Sequence, residues 1–274
     1  MLLDPIQPCE YLSNWIRCYR IIHFNFEEGA PLHPKLYTPR PEFCLQFHLR
    51  DAESIQYNYT AAKERSFNVS LSGHYTNTQL RYVPKHFLSV QVVFHPEGWR
   101  MLFNNETLLD QTIEASLVLG SSVNSLYDEL ANSLSYQDIV SVLNKYLSIR
   151  FSKLKTIDHP FFAIPRLMLG HSTTRSIDWY VKNAYYSNRQ FERKFKDLTG
   201  LSPKEYLRIV RFDRVFRWRN KYPNEDWLST ALEFGFHDYQ HLSKEFKEFT
   251  GYSPTQFESV DENGPDSIAG IAEV

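Results

Sequence analysis

Two short stretches of this chain collect side chains suited to hydrogen bonding with flat polar surfaces. At 100° per residue, Arg189, Glu192, Arg193 and Lys196 share one helical face, and Phe191, Phe195 and Leu198 share the opposite one. Fifty-one residues on, Gln240, Ser243, Lys244 and Lys247 lie opposite Leu242, Phe246 and Phe249 in the same arrangement. Arginine pairs bidentately with the guanine edge, and Gln or Asn with adenine. A single polar face of this kind is ordinarily a solvated helix surface. Two in register are far less ordinary. The candidate base-reading residues are Asn188, Arg189, Glu192 and Arg193 in the first stretch, with Arg193 leading for guanine. In the second they are Tyr239, Gln240, Ser243 and Lys244. Lys196, Lys247, Arg208 and Arg211 fall to phosphate contact or to structure. Arg208, Arg211, Arg214, Arg217 and Arg219 either follow a nucleic-acid backbone or pair with acidic neighbours.

The elements that must position these residues are repeated too. FERKFKDLTGLSPKEY at 191–206 matches LSKEFKEFTGYSPTQF at 242–257 without a gap. Two copies suggest a duplicated supersecondary unit rather than a solenoid. Ser187 with Gln190 forms a capping box that starts a helix, and Gly200 stops it. Ser202-Pro203-Lys204-Glu205 then opens another helix, with proline at its first position. Asp238, Gly251 and Ser253-Pro254-Thr255-Gln256 do the same in the second copy. A shorter helix precedes each unit, in SIDWYVKNAYY and DWLSTALEFGFH, and Gly235-Phe236 supplies a tight turn.

On these residues the segment from about His159 to Phe257 resembles the DNA-binding domain of the AraC/XylS family of bacterial regulators. The resemblance rests on Ser187, Phe191, Arg193 and Phe195-Lys196, then Thr199-Gly200-Leu201-Ser202-Pro203 and Tyr206. It is strongest at Ala231, Gly235-Phe236, Asp238, Leu242, Phe246-Lys247, Gly251, Ser253-Pro254 and Phe257. It implies two helix-turn-helix units joined by a linker helix at about 203–220, with recognition helices near 187–198 and 238–249. It further implies double-stranded DNA as partner, a place in transcription regulation, and no enzymatic activity. A small-molecule effector and a homodimer belong to the same expectation, while contact with RNA polymerase is an expectation for the acidic second unit. At a constant offset of 51, Tyr180 falls where the second unit has Ala231, and Ala184 where it has Gly235. The first helix crossing is therefore expected to be more open.

The formal net charge of −2 runs against a nucleic-acid partner, but the average hides the distribution. Residues 187–221 carry 11 Lys/Arg against 4 Asp/Glu, whereas 222–258 carry 2 against 7. The first unit is thus expected to supply most of the salt-dependent affinity. Asp261 to Val274 reads as a frayed acidic tail. Hydrophobic residues at 42% and aromatics at 15% suffice for a packed core, which excludes global disorder. No N-terminal signal and no run of apolar residues long enough for a bilayer is present, so a cytoplasmic location without membrane contact follows by default.

The fold class is α+β. A β-rich domain at 1–152, with strands around Phe43–Leu49 and Leu88–Phe94, ends in helices carrying Leu126, Leu130, Leu134, Ile139, Leu143 and Leu147. An all-α domain follows at 159–258, then the tail at 259–274. Residues 152–158 read as the linker. The resemblance makes the first domain a sensing or dimerisation module, cupin-like in form. Trp15, Tyr19, Phe47, Tyr75 and Trp99 line a ligand pocket or are plain core, with core the commoner outcome. His23, His33, His48, His74, His86 and His95 lie in no tight ligand motif, and Cys9, Cys18 and Cys44 are too few for a four-thiolate zinc site. No cofactor and no metal is expected. A cupin-type metal-dependent enzyme fused to a DNA-binding domain stays as the alternative, as does a degenerate domain that contacts only protein. A methyl-accepting DNA-repair protein needs four thiolates, which this chain lacks.

Overall fold

The computed structural model describes residues 5–29, 33–57, 62–103, 107–155, 159–170 and 175–269. The first half contains strands β1 (Ile16–Asn25), β2 (Lys35–Tyr37), β3 (Phe43–His48), β4 (Ser54–Gln56), β5 (Glu64–Arg65), β6 (Val69–Ser72), β7 (Gln79–Tyr82) and β8 (His86–Phe94). Helix α1 (Pro96–Phe103), strand β9 (Thr112–Glu114) and helices α2 (Ser116–Leu119), α3 (Ser122–Ala131) and α4 (Tyr136–Ser152) follow. The strands pair into two antiparallel sheets, β1-β8-β3-β6-β9 and β2-β7-β4-β5. The expected β-rich domain is therefore present, as two sheets.

Side chains of a strand alternate between faces, and the larger sheet uses its faces differently. Phe43, Leu45 and Phe47 of β3, with Val90, Val92 and Phe94 of β8, join Trp99, Phe103, Leu126, Leu130, Ile139, Leu143 and Leu147 in one apolar core. The helices cover this face because their buried stripe recurs at helical spacing. Leu134 does not share it: at 97% exposure it lies in the connection between α3 and α4. The opposite face carries Cys44, Gln46, His48, Ser89 and Gln91, all buried. Gln46, His48 and Ser89 among them are hydrogen-bonded, as burial requires. The Gln46 amide donates to Ser89 Oγ at 2.9 Å and Glu53 Oε1 at 3.3 Å, and Arg81 Nη1 donates to Glu53 at 2.9 Å. Burial alone would raise the Glu53 carboxyl, but the Arg81 charge and these hydrogen bonds hold it down at about 2. Tyr19, Phe47, Tyr75 and Trp99 are core residues, while Trp15 is half-buried and stacks on Phe151. All three cysteines are free thiols; Cys18 and Cys44 are buried and Cys9 half-buried.

The second half comprises α5 (Ile164–Gly170), α6 (Ile177–Ala184), α7 (Asn188–Thr199), α8 (Pro203–Lys221), α9 (Trp227–Glu233), α10 (Tyr239–Thr250), α11 (Pro254–Asp261) and α12 (Pro265–Ile268). The smaller sheet contributes Leu36, and the half-buried Leu80, to the core of this half, beside Phe191, Phe195, Phe212, Phe246 and Phe249. A polar seam reinforces the contact. Glu42 accepts a bidentate pair of hydrogen bonds from Arg20, and Arg17 and Arg217 each approach it to 3.4 Å. Burial works against the Glu42 charge, yet the arginines hold its carboxyl well below the usual range.

The reading of a frayed tail gives way as far as residue 269. Asp261 closes α11, α12 follows, and Asp266 forms an ion pair with Lys35 of β2. Of the expected linker at 152–158, Ser152 closes α4 and residues 156–158 lie outside the described residues. Among the described residues no helix is long and apolar enough to cross a membrane.

Candidate nucleic-acid interface

The site is built from local hydrogen bonds first. The Ser187 hydroxyl accepts from the Gln190 amide, and the Gln190 side chain accepts from the Ser187 amide at 3.2 Å, so both halves of the capping box form. Ser202 with Glu205 and Ser253 with Gln256 repeat it. Asp238 Oδ1 accepts from the His241 amide at 2.7 Å to start α10. At the other ends Gly200 and Gly251 have φ of 80° and 79°, the left-handed stop that glycine adopts without a Cβ clash. The Thr199 hydroxyl lies 2.9 Å from the Phe195 carbonyl, and the Thr250 hydroxyl 2.8 Å from that of Phe246. The sequence repeat is thus a repeat of hydrogen bonds as well as of residue types.

Between the short helix and the capped one, however, the two units differ by one residue. Ser176 caps α6 and Asp226 caps α9, an offset of 50 rather than 51. The residue with positive φ is Tyr185 (57°) in the first unit and Gly235 (75°) in the second. Tyr185, not Ala184, therefore stands where Gly235 does, and Val181, not Tyr180, faces the role of Ala231. The first turn is one residue shorter between its left-handed residue and the cap. A constant offset conceals this because the identities that fix it all lie downstream of the cap. The consequence is a 95% exposed tyrosine held in a conformation that costs a residue with a Cβ roughly 1–2 kcal/mol.

The polar faces of α7 and α10 remain open in the folded chain. Asn188, Arg189, Glu192, Arg193 and Lys196 are exposed on α7, and Gln240, Lys244 and Lys247 on α10. Tyr239 and Ser243 are half-buried. Phe191, Phe195, Leu198, Leu242, Phe246 and Phe249 are buried behind them. The 19-residue linker helix α8 spans roughly 28 Å at ~1.5 Å per residue.

All five linker arginines turn inward. Arg208 and Arg211 bind Glu245, and Arg208 also binds Glu248. Arg214 Nη2 donates to the Leu169 carbonyl at 2.8 Å, Arg217 Nε pairs with Asp213 at 2.9 Å, and Arg219 Nη2 pairs with Glu258 at 2.6 Å. The cluster therefore pairs with acidic and carbonyl neighbours inside the protein rather than following a nucleic-acid backbone. This also corrects the charge asymmetry inferred from counting, because the acidic residues of the second unit neutralise linker arginines and leave Lys244 and Lys247 facing out. Sequence reasoning missed Glu245: its neighbours Lys244 and Lys247 are exposed, and only the facing arginines reveal that it points the other way.

For the metal-enzyme alternative the polar sheet face is the place to look. His48 Nδ1 is bonded to the Phe67 carbonyl at 2.8 Å, its Nε2 faces the Gln46 amide, and Glu53 is held by Arg81. These donors are already engaged within the protein. Among the described residues no cluster of three His, Cys, Asp or Glu side chains could hold a metal ion.

Two helix-turn-helix units with outward polar recognition faces on a shared linker define the C-terminal half as a tandem helix-turn-helix domain. Residues 180–259 match the family model described as a helix-turn-helix domain. The HTH-type transcriptional regulator MtrA of Neisseria gonorrhoeae is 34% identical over 82 residues, 30% of this chain and 27% of MtrA. The match therefore spans about a quarter of that relative's length. The fold is similar to that of ToxT of Vibrio cholerae, with a TM-score of 0.50 over 88% of this chain and 98% of that one, at 10% identity. A ToxT structure with a bound unsaturated fatty acid aligns at 0.49 over 93% and 98%, at 13% identity.

Proposed function

We propose that this protein is a sequence-specific, double-stranded DNA-binding transcription regulator without enzymatic activity. The observation that carries the reading is the pair of capped amphipathic helices, α7 and α10, whose polar faces stay exposed while a common helix ties them together. They enter successive major grooves on one side of the duplex, about 34 Å apart. Asn188, Arg189, Glu192, Arg193, Tyr239, Gln240, Ser243 and Lys244 read base edges, and Lys196 and Lys247 meet phosphates. The regulator named MtrA, similar over 82 residues of this chain, supports the reading. The two-sheet domain senses a small ligand or mediates dimerisation, and the outer surface of the second unit faces RNA polymerase.

Selection of bound genomic fragments at stated salt, followed by gel shift of the enriched site, tests this. Specific binding should exceed non-specific binding by about a thousandfold or more, and Arg193→Ala should relax the choice of one base pair. Equal affinity for enriched and random duplexes would sink the proposal.

A further inference from the structure

The carboxylate of Glu245 lies on α10, the helix proposed to read the second major groove, yet it is turned away from the polar face. Its side chain is 7% exposed. Arg208 Nε donates to its Oε2 at 3.0 Å, and Arg211 Nη2 reaches Oε1 at 2.9 Å and Oε2 at 2.8 Å. Both arginines sit three residues apart on the linker helix, so they share a face of it. Arg208 also donates to Glu248 at 2.7 Å. The guanidinium carbon of Arg211 stands 4.0 Å from the centre of the Phe236 ring, in the turn that leads into α10, and that of Arg208 stands 5.1 Å from Phe249 near the helix end. Two guanidinium forks and two carboxylates thus join α10 to α8 at its middle, with aromatic stacking towards both ends.

Among the described residues the first unit has no such joint. At the position matching Glu245 it carries Lys194, whose ammonium lies over the rings of Phe161 and Tyr186, at 6.0 and 5.2 Å, rather than on the linker helix. Apolar packing tolerates repacking when total volume is kept. Bidentate, charge-assisted hydrogen bonds add geometric specificity and weaken steeply when misaligned. A buried carboxylate is also a poor source of stability compared with an apolar residue of its size, so its value lies in direction.

We propose that Glu245 is a positioning residue: gripped by Arg208 and Arg211, it fixes the angle of the second recognition helix to the linker and hence the half-site spacing the protein accepts. This rests on the DNA-binding reading above. The test uses the full chain with spin labels introduced as unnatural amino acids at positions 189 and 240, which leaves the three native thiols in place. The wild type should give one narrow inter-label distance. Glu245→Gln, and Arg211→Lys, which keeps the charge but loses the fork, should broaden it. On duplexes whose half-sites are moved apart by single base pairs, the wild type should favour one spacing by about tenfold and each variant by less than about threefold, with binding of the isolated first half-site unchanged. A merely structural role would lower melting temperature without flattening the spacing preference. If both variants keep the wild-type label distance, the proposal is wrong whether or not the protein binds DNA; if the wild type binds no DNA specifically, the regulator reading fails while the distance still judges the joint.

Discussion

Thr78 donates both its backbone N–H and its hydroxyl to a single oxygen, the Phe249 carbonyl, each at 3.0 Å. Phe249 belongs to the last turn of α10, where helix carbonyls lack intrahelical partners. The two-sheet domain is therefore fastened to the free end of the second recognition helix. Thr107 of the same domain lies against Gly200, where a Cβ would come within 3.3 Å of it, so the first recognition helix is touched at its own terminus. The two loops involved are tied together, since Asp110 accepts from the Thr76 amide at 2.7 Å and hydroxyl at 2.6 Å. Thr78→Val, which keeps the shape and the N–H, should cost about 1 kcal/mol and lower the melting midpoint by about 2–4 °C. An unchanged midpoint in calorimetry would mean that the hydroxyl contact adds nothing.

Salt dependence separates outward from inward cations. Removing one cation that neutralises a phosphate should lower the slope of log affinity against log salt by about 0.9. Lys196→Ala and Lys247→Ala, both exposed on the polar faces, should each do so. Arg208→Ala should leave the slope alone, because its guanidinium is neutralised by Glu245 and Glu248. A slope change at Arg208 matching that at Lys196 would return the linker helix to the DNA backbone.

The two turns respond in opposite directions to substitution. Tyr185→Gly removes left-handed strain of roughly 1–2 kcal/mol while adding about 0.5–1 kcal/mol of chain entropy, so a gain of up to about 1.5 kcal/mol is expected. Gly235→Ala meets no atom within 4 Å of its new Cβ, so φ alone decides, and a loss of about 1 kcal/mol follows. Denaturant titration measures both. A stabilised alanine variant would contradict the shifted alignment of the turns.

Glu97, half-buried on α1 where that helix packs against α7, has its carboxyl pushed up to about 7 by burial, with the charge of Arg166 partly opposing. A raised carboxyl contributes stability that is fully present below about pH 4.5 and is lost as pH rises through about 7. Glu97→Gln, a mimic of the protonated form, should therefore melt higher than wild type at pH 8 and near it at pH 5. The same melting difference at both values would rule the titration out.

How much of this can be read from the chain follows from distance along it. The sequence places the recognition helices at 187–198 and 238–249, and they span Asn188–Thr199 and Tyr239–Thr250. Their caps, stops and apolar faces are set by residues three or four apart, whose side chains meet as soon as the helix forms. The 51-residue repeat announces the duplication for the same reason. Leu134 misleads because helical spacing continues through a connection that is not helical, and the one-residue shift near Tyr185 is hidden because turns carry few fixed identities.

The sequence by itself determined the two capped helices of the repeat and which of their faces are polar, since those are short-range hydrogen-bonding and burial choices. Only the tertiary structure decided which charges on those faces are free. Arg208 meets Glu245 across 37 residues, Arg217 meets Glu42 across 175, and Thr78 meets Phe249 across 171. A charged residue on a helix surface has the same spacing whether it faces water or a buried partner, and only the fold brings the partner to it.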